Sequence, residues 1–398
     1  MSLPGPILLV AVSARMLTQL ATAAGHHVVA VDRFGDLDLR RLPRTRVVCA
    51  AHGRPGMAAL VASAERVQAD AVVYGGGLEN RPDLVARLAR GRRLLGNEPG
   101  VLARVRDPVR LGAALRSAGL LYPCTLNPAD ARRAADRSRA WLRKPVRGGG
   151  GRGIRTWQGD ALGAGEILQE RVPGVACSVA AVGDGRHAMV LAVTEQLVGE
   201  EAFGGGGYSW CGNVVPPRLG AHDRCRLSAD ADAICARLAQ AFRLRGVFGV
   251  DLVWDGRRAW VIEVNPRPPG SLEAIELAGA TGTFAAHVRA FNGELPARKF
   301  DPGSARPRAA AKAILYAATD TVVPDTGDWS APGIRDIPHA GQRISAGQPV
   351  CTLVAVVVGY GPGRARRCAP ARSCRNACRG WPARSLPSAT AATRWSSL

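Results

Sequence analysis

Apolar residues recur along the N-terminal part of the chain in short unbroken runs separated by helically spaced stretches. Ile7 to Val12 is one such run, Ala14 to Ala24 carries helical spacing and stops at Gly25, and His27 to Val31 is apolar again and ends in Asp32. That sequence of patterns predicts strand, helix and strand, the opening of a βαβ unit. It returns at Ala71 to Tyr74, a strand of the buried kind that leads into Gly75, Gly76 and Gly77 and then into a helix from about Pro82. A doubly wound α/β domain is expected over residues 1–105. No GxGxxG follows the first strand, so Asp32 reads as a strand-end polar residue and not as the ribose ligand of a dinucleotide site.

A helix is expected from about Pro108 to Ala118, followed by short strands and helices as far as Phe300. A linker rich in Pro, Gly and Arg runs from Asp301 to Arg308. After it comes a strand-rich stretch from Ala311 to Val354, with turns at Pro324, Gly327, Pro332, Pro338 and Gly347, which predicts a small C-terminal β-domain over residues 301–355. From about Val356 to Leu398 the chain has no Asp, Glu or Lys but eight arginines and three cysteines, and no hydrophobic period. A disordered tail fits that composition, and so does a reading-frame shift near the end of the gene. No repeat of solenoid period is present.

At 398 residues the chain has room for two or three compact units sharing a cleft. The formal charge of +21 would suggest a nucleic-acid partner. Only Lys144, Lys299 and Lys312 are lysines, however, and the arginines are scattered without an aromatic-interleaved stripe. The excess therefore reads as a GC-rich coding background, with no nucleic-acid partner expected. No run reaches the ~20 apolar residues of a membrane span, so no membrane association is expected and the cytoplasm is the default. Cys49, Cys124, Cys177 and Cys235 read as small buried hydrophobes. Cys368, Cys374 and Cys378 match no common zinc spacing.

Three segments carry candidate chemistry. Trp141 to Arg155 reads WLRKPVRGGGGRGIR, an apolar strand that delivers Lys144 and then a glycine loop, Gly148 to Gly151 with Gly153. Glycines let backbone N–H groups close around phosphate oxygens, and a lysine neutralises charge those donors leave. Gly246 to Glu276 contains a hairpin turning at Asp255-Gly256, with Glu263, Asn265 and Arg267 alternating onto one face. Asp251, on the partner strand, joins that face only if the hairpin loop holds an odd number of residues, as a three-residue loop with a bulge would. Two carboxylates and an amide oxygen suit a hard cation such as Mg²⁺, and Arg267, between Pro266 and Pro268, could clamp an acyl carboxylate or a phosphoryl group. Ile167 to Val179 is a strand, a Pro-Gly turn and another strand, placed to cross between two lobes.

In this order the three segments resemble the ATP-grasp superfamily, and most closely the ATP-dependent carboligases related to biotin carboxylase, over residues 6–355. The resemblance implies an N-terminal Rossmann-like pre-ATP-grasp domain, a two-lobed α+β ATP-grasp domain over 106–300 with its lid lobe at about 140–200, and the small C-terminal β-domain. It implies that Lys144 and Gly148, Gly149, Gly150, Gly151 and Gly153 cover the nucleotide phosphates. Glu170, Arg171 and Val172 would lie at the adenine hinge, and Asp251, Glu263 and Asn265 would hold Mg²⁺ or Mn²⁺. Arg267 and Lys144 would serve the reacting groups.

Three departures stand out. Asp107 is followed by Pro108 where relatives carry a lysine, leaving Arg110 as the cation considered in its place. The acid that often holds the ribose is Ala176. Pro268, Pro269, Gly270 and Ser271 replace the residues leading to a bicarbonate base. The last of these favours an ATP-dependent ligase that activates a carboxylate as an acyl phosphate and couples it to an amine over a biotin- or bicarbonate-dependent carboxylase, whereas the missing lysine and the unusual tail keep a degenerate, non-catalytic ATP-binding protein as an alternative. The run from Glu263 to Glu273 resembles amino-acid ligases of cofactor assembly. A second loop, Phe203 to Asn213, is expected over the substrate. Small-molecule carboxylates and amines are the implied partners, and a homodimer is left open.

Overall fold

The computed structural model describes residues 5–49, 56–134, 138–297, 308–326, 329 and 333–358. Lys299, the linker over 301–307, and the tail from residue 359, with Cys368, Cys374 and Cys378, lie outside the described residues.

The N-terminal runs form a five-stranded parallel sheet of order 3-2-1-4-5, from β1 (Ile7–Ala11), β2 (Val28–Asp32), β3 (Thr45–Cys49), β4 (Ala71–Tyr74) and β5 (Arg93–Leu94). β1, β2 and β4 are buried along their whole length because both faces are covered, whereas the edge strands β3 and β5 carry Thr45, Arg46 and Arg93. Leu8 and Val10 pack against α3 (Met57–Glu65), α4 (Pro82–Leu88) and α5 (Pro99–Val105), whereas Ile7, Leu9 and Ala11 pack against α1 (Arg15–Ala23). A short α2 (Leu37–Arg40) follows β2. The Asp32 carboxylate accepts backbone N–H bonds from Ala14, Phe34 and Gly35 at 2.6–2.7 Å, so it closes the strand end.

Asp107 caps α6 (Pro108–Ser117): its side chain accepts from the Val109 and Arg110 N–H groups, and Pro108 takes the first helical position, where its missing N–H is not needed. A four-stranded antiparallel sheet of order 6-9-7-8 follows. It is built from β6 (Thr125–Leu126), β7 (Trp141–Pro145), β8 (Arg155–Thr156) and β9 (Glu166–Glu170), with α7 (Pro128–Ala134) beside it.

The third sheet has eight strands: β10 (Val175–Asp184), β11 (Ala188–Val198), β12 (Trp210–Val215), β13 (Arg245–Trp254), β14 (Ala259–Asn265), β15 (Arg308–Tyr316), β17 (Ile334–Arg335) and β19 (Pro349–Val358). Their order is 14-13-10-11-12-15-19-17. β16 (Thr321–Val322) and β18 (Arg343–Ile344) pair separately. Thus the C-terminal β-rich segment continues the same sheet through β12 and β15. Helix α8 (Ala221–Phe242) covers one face, with Leu227, Ile234 and Leu238 on Val179, Ala181, Val250 and Leu252. On the other face α9 (Leu272–Leu277) and α10 (Thr283–Ala290) meet Ala180, Val182 and Val247.

Two buried polar contacts fix these units against one another. His287 of α10 accepts the Val247 N–H through Nδ1 at 2.8 Å and donates from Nε2 to the Leu95 carbonyl at 3.0 Å; burial pushes its pKa down to about 4, which keeps the ring neutral. Gly246 has no side chain because a Cβ there would come within 2.7 Å of that ring. The second contact is ionic. Arg15 of α1, 1% exposed, binds Glu273 of α9 through both terminal nitrogens, at 2.6 and 2.8 Å, and Asp336 beyond β17 at 2.9 Å. Lys312 of β15 reaches the same Glu273 at 2.8 Å, and Asp38 accepts the backbone N–H groups of Asp336 and Ile337.

Replacing Arg15 strands two buried carboxylates, so Arg15→Met should cost about 3–5 kcal/mol at pH 7, read by urea unfolding. Burial works against ionising Glu273, but Arg15 and Lys312 outweigh it and hold its pKa far below the usual carboxylate range; Asp336 is lowered in the same way by Arg15. The stability these depressed carboxylates confer is present above their unfolded pKa, about 4, and is lost as pH falls through their folded values. The gap between Arg15→Met and the parent should therefore narrow below pH 4. A loss under about 1 kcal/mol at pH 7 would contradict the account.

Candidate active site

The hairpin of β13 and β14 brings Asp251 directly opposite Glu263. The loop between Trp254 and Ala259 has four residues, closed by the Asp255 N–H on the Arg258 carbonyl at 3.3 Å. The odd residue that the shared face requires is supplied elsewhere, by a bulge in β14. Leu252 pairs with Val261 and Asp251 with Glu263, so Ile262 is the extra residue. The sequence located the odd count in the turn, and the fold places it in the strand.

Asp251 is surrounded by donors. Gln196 Nε2 reaches Oδ1 and Asn265 Nδ2 reaches Oδ2, each at 3.0 Å, and Ser178 lies opposite on β10. Removal from water and the adjacent Glu263 push its pKa up to about 7. Glu263 is also disfavoured by burial, but Arg106, Lys144 and its bond from Asp251 outweigh that and keep it ionised. The two carboxyls thus crowd negative charge into a space that would suit a cation. Among the described residues no three His, Cys, Asp or Glu are grouped to hold a metal. Any cation here would rest on two carboxylates, one amide and outside oxygens, a donor set that fits Mg²⁺. Asn265 turns its amino group to both carboxylates, at 3.0 and 3.5 Å, so its amide would have to flip to offer oxygen.

Cations face this pair. Lys144 on β7 is 8% exposed and donates to Gln169 Oε1 at 2.8 Å; burial lowers its pKa, against the pull of Glu263 and Asp251. Arg267 bonds Glu79 at 3.1 Å and the Asn265 amide oxygen at 3.4 Å. Arg106 reaches Glu263 at 3.5 Å and the Gly148 carbonyl at 3.2 Å, whereas Arg110 is 63% exposed and pairs with Asp107. Sequence reasoning considered Arg110 and missed Arg106. It also noted the three glycines after β4 without using Glu79 and Asn80 behind them. Asn80 bonds both Arg106 and the Gly148 carbonyl, and Glu79 steadies Arg267. The usable signal was an acid and an amide at the carboxyl end of a parallel strand, where ligands of such sheets gather.

The carboxylate pair and its facing cations Lys144 and Arg267 line one cleft of about 360 Å³. Lys144, Gly148 to Gly151, Glu170, Arg171, Val172, Asp251, Glu263, Asn265 and Arg267 all border it. Gly153 sits behind the loop, beside Pro145. At the hinge the Glu170 and Arg171 N–H groups bond the Cys124 and Ala140 carbonyls at 2.8 Å, and the Glu170 carboxylate holds Arg139 at 3.0 Å. Tyr208, Trp210 and Asn213 of the second glycine-rich loop complete the far wall. The Trp210 ring lies so close over Gly270 that a Cβ there would come within 2.7 Å of it. The two loops are joined by the Trp210 N–H on the Gly150 carbonyl at 3.1 Å.

A model of the ATP-grasp domain matches residues 105–271, the stretch that supplies most of this cleft. Solved structures agree on the fold. Rhizobium etli pyruvate carboxylase, solved with its allosteric activator acetyl-coenzyme A, is 18% identical with a TM-score of 0.67, over 94% of this chain and 37% of that one. The chain thus spans little more than a third of that protein. The biotin carboxylase domain dimer of Hydrogenobacter thermophilus 2-oxoglutarate carboxylase, with MgADP, ADP and bicarbonate, is 14% identical, with a TM-score of 0.66 over 96% and 91%. L-amino acid ligase from Bacillus licheniformis is 15% identical, with a TM-score of 0.63 over 88% and 93%. A comparison with curated proteins finds no match. Among the described residues no helix is long and apolar enough to cross a membrane.

The seam between the two loops is testable. Gly151 has φ +73°, and a Cβ there would run into the Tyr208 carbonyl oxygen. Gly151→Ala should therefore part the loops and speed trypsin cleavage after Arg147 and Arg152 severalfold, with the melting temperature within a few degrees of the parent. Unchanged cleavage would show that the loops are not held by this contact.

Proposed function

We propose that the chain is an ATP-dependent carboxylate–amine ligase. The observation that carries this reading is the opposition, across one cleft, of the Asp251–Glu263 pair with Asn265 to the cations Lys144 and Arg267, beneath a glycine loop. Such a cleft grips a polyanion at two kinds of contact, metal-mediated and direct. Magnesium, when bound, would neutralise phosphate oxygens and polarise the transferring group. Asp251, Glu263 and Asn265 would hold it. Lys144 would meet phosphate oxygens from β7, and the Gly148 to Gly151 backbone would cover them. Glu170, Arg171 and Val172 would flank the base.

An oxygen of the acid substrate would attack the γ-phosphorus in line, and the bond to the β–γ bridging oxygen would break to release ADP. Arg267, anchored by Glu79, would orient the carboxylate and share the charge that develops. Arg106 would position Glu263 and the Gly148 carbonyl from below, a role the sequence had left to Arg110. The amine would then attack the acyl carbon, lose a proton to solvent and expel phosphate. The loops joined at Gly150 and Trp210 would keep water from the acyl phosphate.

A carboxylase reading draws support from the likeness to biotin carboxylases. Against it stands the segment after Arg267, where Pro268 to Ser271 present no basic group and Ser271 Oγ is buried without a partner. We assign domains to 1–105, 106–300 and 301–355, a cytoplasmic location and, by analogy with the dimeric relative, a homodimer as parts of the same proposal.

Magnesium-dependent ADP release should appear with an acid and an amine together, without need of bicarbonate, and should fall at least about a hundredfold in Glu263→Ala. Release that needs bicarbonate alone would favour the carboxylase, and ATP binding without release under any condition would contradict both enzymatic readings.

A further inference from the structure

A second and larger cavity, about 1310 Å³, shares no lining residue with the cleft above. It opens where the end of the parallel sheet meets the first residue of β13, six residues and roughly 20 Å along the strand from Asp251. Six of its seventeen lining residues are arginines, in a chain where arginine is about one residue in eight, so the scatter that explains the overall charge does not explain this gathering. They come from five segments: Arg93 at β5, Arg104 on α5, Arg186 in the β10–β11 turn, Arg237 and Arg243 at the end of α8, and Arg245 at the start of β13.

Neutralisation is lacking there. Arg93 bonds Asn292 Oδ1 at 2.6 Å and the Phe291 carbonyl at 3.4 Å, both uncharged. Among the described residues no carboxylate pairs with Arg104, Arg186, Arg237, Arg243 or Arg245. The nearby Asp184 is occupied by the Arg186 and His187 N–H groups, at 2.7 Å each, and by the His187 ring. Glu98 is the only acid in the lining. Several unpaired guanidiniums around one concavity raise a positive potential that an anion would relieve, and their planar forks match phosphate oxygens. The wall is fixed in advance: Asn97 donates to the Arg245 carbonyl at 3.1 Å and accepts the Arg245 N–H at 3.0 Å. Leu94, Val101 and Phe291 add apolar surface.

We propose that this cavity binds a small molecule bearing two or more phosphate groups. A concave site between five segments suits a compact oligophosphate better than a duplex, which needs an extended basic stripe.

Calorimetry with inorganic tripolyphosphate on the full chain, at about 150 mM salt to suppress diffuse attraction, tests it. In a Lys144→Met background, which weakens phosphate contact in the other cleft, adding Arg104→Ser, Arg237→Ser and Arg243→Ser should weaken the remaining binding at least about tenfold. Glu98→Gln removes the only competing acid and should bind about two- to fivefold more tightly. Binding undiminished by the three arginine changes, binding lost in Lys144→Met alone, or equal competition by polyglutamate would each overturn the proposal.

Discussion

Arg15 carries a full charge with almost no access to water, and much of the arrangement follows from the need to neutralise it. A lone ion in that position would cost several kcal/mol. Glu273 answers it from α9 and Asp336 from beyond β17, and Lys312 on β15 balances the second oxygen of Glu273. One side chain therefore draws the parallel sheet, the helix behind the cleft and the C-terminal strands to a single point. Because Glu273 lies six residues beyond Arg267, the same contact fixes where the loop from Pro268 to Ser271 returns, and so one wall of the cleft.

The cleft repeats the logic with opposite sign. Asp251 and Glu263 are held face to face by the ladder of β13 and β14, and neither can move away from the other. Their repulsion is relieved by Lys144, Arg106 and Arg267 around them. Fixed, imperfectly balanced charge of this kind is stored affinity: a divalent cation and a phosphate chain, arriving together, would balance both sides without rearranging the strands. The glycine loop and its neighbour meet through the Trp210 N–H on the Gly150 carbonyl and again where Gly151 packs against the Tyr208 carbonyl.

Much of this was legible because the relevant signals are local. Unbroken runs such as Ile7 to Val12 announce strands covered on both faces, and the alternation of Glu263 and Asn265 fixes one face of a strand, although β14 ends at Asn265 and Arg267, read as its continuation, lies in the bend beyond it. The bulge at Ile262 was legible only as a parity requirement, since nothing in the residue itself marks it. Arg106, Glu79 and Asn80 were missed because each acts across more than forty residues, on Gly148, Arg267 or Glu263. Pattern along the chain says nothing of such pairings. For the same reason the pairing of β15 with β12, across about a hundred residues, could not be read from the chain. The arginine cavity was hidden by the chain's general wealth of arginine, and only convergence in space distinguishes it.

The central claim is that an oxygen of the acid substrate takes the γ-phosphoryl group before the amine arrives. The most direct measurement follows ¹⁸O from a labelled carboxylate during turnover with an acid and amine that support ADP release. The account predicts one labelled oxygen in the inorganic phosphate for each amide formed. Phosphate free of label, with both labelled oxygens accounted for elsewhere, would contradict an acyl phosphate and with it the role assigned to the cleft.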